Sequence, residues 1–183
     1  MCQIYLNINN LQQEGFHVLS CDEKTGIQAI EHKHPSKPAR PGEIEKCEQE
    51  YKRNGTTTLI ASRDINTGQI IAPMVNKTRT EKDFVKHISD VVSSAPEDKY
   101  IFIMDQLNTH KSESLVKYVA KQCDIQENLG KKGYCGILKT METRQAFLED
   151  EIHRIRIVYT PRHASWLNQI EIWFGILTRK VIR

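Results

Sequence analysis

A chain of 183 residues suits one domain built around one core. Hydrophobic residues make up 39% and charged residues 27%, and no apolar run approaches the roughly 20 residues that span a bilayer, which excludes a membrane protein of the helical kind. The net charge of +3 is mildly basic and favours a polyanionic partner only weakly, and the opening Met1-Cys2-Gln3-Ile4-Tyr5 is not a secretory signal, so a cytoplasmic protein is expected.

The apolar run His17–Cys21 ends at Asp22 and predicts a buried strand. Ile27–Ile30 either continues it or forms a second short strand. Residues 31–54 are polar, charged and Pro-rich and predict a long loop, beyond the roughly 12–15 residues usual in compact domains. Thr56–Asp64 is β-branched, Asn66-Thr67-Gly68 is turn chemistry, and Gln69–Val75 is strand-like, so a hairpin is expected here. Pro73 favours an edge position in it.

Thr80 is placed to cap a helix in which Phe84, Ile88, Val91 and Val92 form an apolar stripe; Asp83 stands where Glu or Gln would better complete a capping box. Ala95-Pro96 ends that helix. Tyr100–Met104 is a continuous apolar run, expected to be a central strand buried on both faces, and it ends at Asp105. Ser112 opens a second helix with Leu115, Val116 and Val119 inside. Residues 124–150 are poorly patterned apart from a short helix near Thr143–Leu148. Arg154–Tyr159 alternates like a strand, and Ser165 is expected to cap a final helix from Trp166 onward. The order of elements suits an α/β fold, a mixed sheet flanked by helices on both faces.

Cys2, Cys21, Cys47, Cys123 and Cys135 are odd in number and widely spaced, which argues for free thiols. His32, His34 and Cys47 do not follow a zinc spacing. Basic stretches occur at His32–Gly42 and at the C-terminus, with Arg179, Lys180 and Arg183; each alone reads as solvated surface.

Two acids, Asp22 and Asp105, directly follow the two most apolar strands. A carboxylate there points into the crevice at the sheet edge where ligands of α/β sheets gather, although Asp is also a common turn residue. A third acid, Glu171, shares a stripe roughly 80° wide with Asn168, Gly175 and Thr178 on the last helix, while Trp166, Ile170, Trp173, Leu177 and Val181 lie opposite. By pattern alone that stripe reads as the wet face of an amphipathic helix rather than as a site, and Trp166 as core. Three carboxylates converging from two strands and a helix would hold Mg²⁺ and serve two-metal phosphodiester chemistry.

The segments CDEKTGIQA (Cys21–Ala29), YKRNGTTTLIASRDINTG (Tyr51–Gly68), MDQLNTHKS (Met104–Ser112) and YTPRHASWLNQIEIWF (Tyr159–Phe174) resemble the catalytic domain of bacterial insertion-sequence transposases of the mariner-like superfamily. Gln106 departs from the Asn more common in that family. The resemblance implies an RNase-H-like fold of the DDE type over residues 17–183, with residues 1–16 as a leftover linker or helix and the domain truncated at both ends. It implies Asp22, Asp105 and Glu171 as catalytic metal ligands for Mg²⁺, with Mn²⁺ able to substitute, and no organic cofactor. The implied activity is DNA cleavage and strand transfer on double-stranded DNA at transposon ends and target, in a nucleoid-associated protein that forms a homodimer and has no membrane partner. Asn108 and His110 either orient a carboxylate, touch phosphate or cap the loop; Asn168 is expected to support Glu171; Lys24, Arg162 and His163 are candidate phosphate contacts. Two alternatives stay open: a different RNase-H-like nuclease, and a non-catalytic remnant that binds DNA or a partner.

Overall fold

Residues 1–182 are described by a computed structural model. The architecture follows from where apolar side chains alternate and where they do not. Five strands, β1 (Phe16–His32), β2 (Tyr51–Asp64), β3 (Ile70–Asn76), β4 (Lys99–Met104) and β5 (Ile155–Tyr159), form one sheet in the order β3-β2-β1-β4-β5. The β1–β2 and β2–β3 pairs are antiparallel, while β4 runs parallel to both β1 and β5.

Side-chain alternation sends residues of one strand to two different cores. Leu19, Cys21, Ile60, Phe102, Met104, Ile155 and Ile157 pack with α3 (Glu81–Val92), α4 (Glu113–Gln122) and α5 (Met141–Leu148). On the other face, Val18, Ile101 and Ile103 meet α1 (Cys2–Leu6) and α2 (Ile8–Gln13), and Leu59 and Ala61 meet Ile170 and Phe174 of α6 (Ile170–Leu177). Strand β4 is therefore buried on both faces, which its unbroken apolar run anticipates, and helices cover both sides of the sheet. Among the described residues no helix is long and apolar enough to cross a membrane.

Local signals place several elements where the sequence puts them. The Thr80 hydroxyl accepts from the Asp83 amide, and the Asp83 carboxylate accepts from the Thr80 amide at 2.8 Å, so the capping box closes with the shorter acid. Ser112 caps α4 through the Leu115 amide. The Asp64 carboxylate accepts from the amides of Asn66 and Thr67 and fixes the β2–β3 turn, which Gly68 completes at φ +75°. Pro73 lies on the edge strand β3.

Three expectations change. Strand β1 is continuous over 17 residues, and β2 starts at Tyr51, so the connecting loop is only residues 33–50. The extra length is a polar two-stranded arm, His32 pairing with Tyr51, held by backbone ladder bonds that leave no mark in hydrophobicity. The last helix starts at Ile170 rather than Trp166; Ser165–Leu167 is a separate 3₁₀ turn, and Asn168, with ψ 99°, breaks the helical path. Trp166, expected in the core, is 72% exposed because it lies on that turn and not on the helix face that packs.

Phe102 is fully buried between the helical layers at the centre of the sheet. Phe102→Ala is expected to cost about 3–5 kcal/mol, read from the urea unfolding midpoint. A loss below about 1 kcal/mol would mean that β4 is not the structural centre.

Candidate active site

The parallel pairing of β1 with β4 ends at Ser20 and Ile103. Beyond that step β1 continues with β2 alone, so the sheet narrows beside Asp22, and the end of β4 leads into an open groove lined by Asp105. The acid expected at the end of a strand thus lies within one; it is the neighbour, β4, that stops. Ser20 and Asp22 face α6, while Cys21 faces α3 and α4.

A buried polar clasp fixes α6 there. Ser20 Oγ donates to Asn168 Oδ1 and accepts from the Ile170 amide at 2.8 Å. Asn168 Nδ2 donates to the Cys21 carbonyl at 3.1 Å and to Asp22 Oδ2 at 3.0 Å. Asn168 is fully buried. The extended backbone that interrupts the last helix is what lets this side chain reach the strand. Asn168 therefore supports Asp22 with its side chain; towards Glu171, its expected partner, it offers only a carbonyl, which accepts the Glu171 amide at 3.1 Å. Glu171 sits in the first turn of α6 with an exposed side chain.

Asp105 follows β4 immediately. Its Oδ1 accepts from the Leu107 amide at 2.9 Å and lies 2.8 Å from His110 Nδ1. His110, on a 3₁₀ turn over Asn108–Lys111, is fully buried with its ring 4.3 Å from that of Phe84. Its other nitrogen, Nε2, lies 3.6 Å from Glu23 Oε2, an ion-pair rather than a hydrogen-bond distance. Potential ligand atoms of Asp22, Glu23 and His110 lie within 4.8 Å of one another. Asp105 joins this group through His110; Asp22, Asp105 and Glu171 do not by themselves form so tight a set.

Electrostatics treat the two aspartates differently. Burial pushes the Asp22 carboxyl up to about 7; the charges of Asp105 and Glu171 add to the rise, while the Glu23 amide and His110 oppose it. Burial also acts to raise Asp105, but His110 and the Leu107 amide outweigh it and hold the group below the usual carboxylate range. Burial acts to lower His110, yet Asp105 and Glu23 lift it to about 9.

The remaining candidates spread around the crevice. Lys24 is half-buried on β1, and Asn108 is exposed. Arg162 and His163 are exposed and line an open groove of about 470 Å³ shared with Asp105, Gln106, Thr160 and Ser165. His163 has φ +59°, the left-handed region that a non-glycine residue rarely adopts. Sequence reasoning missed Ser20 and Glu23. Ser20 reads as strand filler, and Glu23, beside a candidate acid, reads as the solvent-facing neighbour; its burial depends on His110, 87 residues away in the chain.

The sequence profile of the DDE superfamily endonucleases matches residues 17–183. The chain belongs to that family. Among solved structures, this DDE endonuclease is similar to a chain of the simian T-cell lymphotropic virus intasome in complex with PP2A regulatory subunit B56 gamma, with TM-score 0.51 and 11% identity over 89% of this chain and 38% of that one. It also matches the Mos1 mariner paired end complex with Mn (TM-score 0.43, 16% identity, 96% of this chain and 53% of that one). The Mos1 strand transfer complex gives TM-score 0.44 and 15% identity over 95% and 51%. The chain thus spans about half, or less, of the solved chains it matches. No curated protein matches it significantly. The strand order, with three antiparallel strands followed by two parallel ones, is the RNase-H-like arrangement expected of the DDE type.

The shifted groups make stability depend on pH. His110, raised to about 9 from 6.5, stabilises the fold fully below 6.5, and that contribution disappears as pH rises towards 9. Asp22, raised to about 7 from 3.8, penalises the fold increasingly as pH rises between those values. His87, lowered to about 4 by burial, acts in the opposite sense below 6.5. From about pH 7 to about 8.5 the tail of the Asp22 titration and His110 both lower stability as pH rises, so the His110 share is the difference between the wild-type chain and His110→Gln. Without divalent cations, Tm is expected to fall across that window, and His110→Gln to flatten the slope. A wild-type Tm that holds or rises would contradict the assignment.

Proposed function

We propose that this DDE endonuclease chain is the catalytic domain of a DNA transposase, cleaving and joining phosphodiesters with divalent cations held by Asp22, Asp105 and Glu171. One arrangement supports the reading: Asp22 lies on β1 where its pairing with β4 ends, Asp105 directly follows β4, and α6, with Glu171 in its first turn, is tied to β1 through Ser20 and Asn168. Like charges gathered at the edge of a core are unfavourable alone and favourable around a cation. The donors are hard oxygens, which suits Mg²⁺, with Mn²⁺ as a substitute.

Bound there, divalent cations supply Lewis acidity at the attacking and leaving oxygens of a phosphodiester. The chain's own residues supply position. Asn168 and the Glu23 amide hold the two oxygens of Asp22. His110 and the Leu107 amide hold Asp105, leaving its second oxygen free of protein partners within the described contacts. Glu171 sits at a helix start that is itself tied to β1. Lys24, Arg162 and His163 offer donors and positive charge to the phosphates of double-stranded DNA on either side. Asn108, exposed beside Asp105, is a further contact of that kind. Joining two transposon ends to one target needs two such sites, so a homodimer accompanies this reading, as does a cytoplasmic, nucleoid-associated location.

Asp105→Asn is expected to lower Mg²⁺-dependent nicking of supercoiled DNA by about a hundredfold or more, with circular dichroism unchanged. Nicking at the wild-type rate would remove Asp105 from the ligand set. Preferential cutting of an RNA–DNA hybrid would point to a different RNase-H-like nuclease.

A further inference from the structure

Between α4 and α5 lies a feature that the site above does not use. From Gly130 to Lys139 the chain carries three lysines and no acid. This segment folds into a tight knob. Lys131 and Cys135 exchange backbone hydrogen bonds of 3.0 and 3.1 Å, and the Leu138 amide donates to the Leu129 carbonyl at 3.0 Å. Its two limbs cross at Gly130 and Gly136. A Cβ on Gly130 would lie 2.1 Å from the Cys135 carbonyl oxygen, and one on Gly136 would lie 2.7 Å from that of Leu129. Leu138 is buried in the main core, and Leu129 and Ile137 pack against it. The base of the knob is thus anchored, and its backbone is bonded to itself.

The outer surface of the knob is basic and aromatic. Tyr134, at the tip, is 74% exposed, with Lys131 Nζ 5.1 Å from its ring centre. Lys131, Lys132 and Lys139 are exposed, and among the described residues none of them forms an ion pair. Lysines on a loose loop are ordinary solvated surface. A rigid turn instead holds its charges ready, so that binding orders little more than the side chains. The partner follows from where the knob is attached. Lys139 leads through Thr140 into α5, and that end of α5 lies against the turn after Asp105: Arg144 Nη1 donates to the Lys111 carbonyl at 2.8 Å, and Lys111 Nζ donates to Gln145 Oε1 at 2.7 Å.

We propose that the knob is a second DNA-contact surface, on which Lys131, Lys132 and Lys139 meet phosphates of the duplex flanking the site and Tyr134 packs against its sugars. Such contacts carry no sequence information; they fix how the duplex lies on the domain. Each lysine that neutralises a phosphate releases counterions, so the contribution of the knob depends on salt. This inference rests on the proposed function, which makes double-stranded DNA the substrate.

Binding of the metal-free chain to a duplex of about 30 base pairs, followed by fluorescence anisotropy over a salt series, tests it. The pair Lys131→Gln and Lys132→Gln is expected to weaken binding about tenfold or more at about 0.1 M salt, and to make the salt dependence shallower by about 1 for each lysine. The pair Lys99→Gln and Lys121→Gln removes the same charge at the start of β4 and in the last turn of α4, away from the Asp105 end of the sheet, and is expected to leave the slope as it is. Tyr134→Ala is expected to weaken binding with an unchanged slope, since no charge is lost. All five side chains are exposed, so urea midpoints are expected to hold. Equal losses in the two lysine pairs, or a Tyr134→Ala chain that binds like the wild type, would each overturn the proposal while the proposed function stands. If the wild-type chain binds no duplex at low salt, the proposed function falls, and this inference with it.

Discussion

The clasp between Ser20, Asn168 and Asp22 is the interaction on which the rest of the site depends. Helix α6 is only eight residues long and has no side-chain cap of its own. The donor that its first turn leaves free, the Ile170 amide, is taken by a hydroxyl from a strand 150 residues earlier in the chain. Each buried bond of this kind adds about 1 kcal/mol net, but leaving one partner unsatisfied costs about 1–3 kcal/mol. The arrangement therefore tends to be kept whole or lost whole. Folding of the C-terminal segment and construction of the crevice become one event, because the residue that ties α6 down also hydrogen-bonds the first acid.

A second constraint is electrostatic. Neighbouring acids repel one another, and the fold treats Asp22, Asp105 and Glu171 unevenly. Asp22 is buried and has no cation at bonding distance, so it resists ionisation. Asp105 is half-buried but lies against a protonated imidazole, so it ionises readily. Glu171 stays at the surface, where water screens it. Among the described residues, no arginine or lysine forms an ion pair with Asp22 or Asp105.

How much was legible in the sequence varies with the source of the order. Tyr100–Met104, the stripe of α3 and the hydroxyls capping α3 and α4 announce themselves because burial and capping are local demands. The arm formed by Ile27–His32 and Tyr51–Thr57 was hidden, since backbone ladders between polar strands impose no hydrophobic period. The start of α6 was misplaced because Asn168 breaks the helix to satisfy a strand far away in sequence. Trp166 followed it out of the core. Asp22 and Asp105 were visible as acids closing apolar runs, whereas Glu171 rested on the family resemblance. Glu23 had no local signal at all, because only tertiary packing turns an acid on the supposed wet side of a strand into a buried one.

Where a cation sits decides between these ideas and their rivals. Crystals of the chain soaked in Mn²⁺ would reveal it through anomalous scattering. The expected result is a peak within about 2.5 Å of carboxylate oxygens from both Asp22 and Asp105, with Glu171 turned towards it. A peak that excludes Asp105, or no peak in this crevice at millimolar Mn²⁺, would contradict the site described.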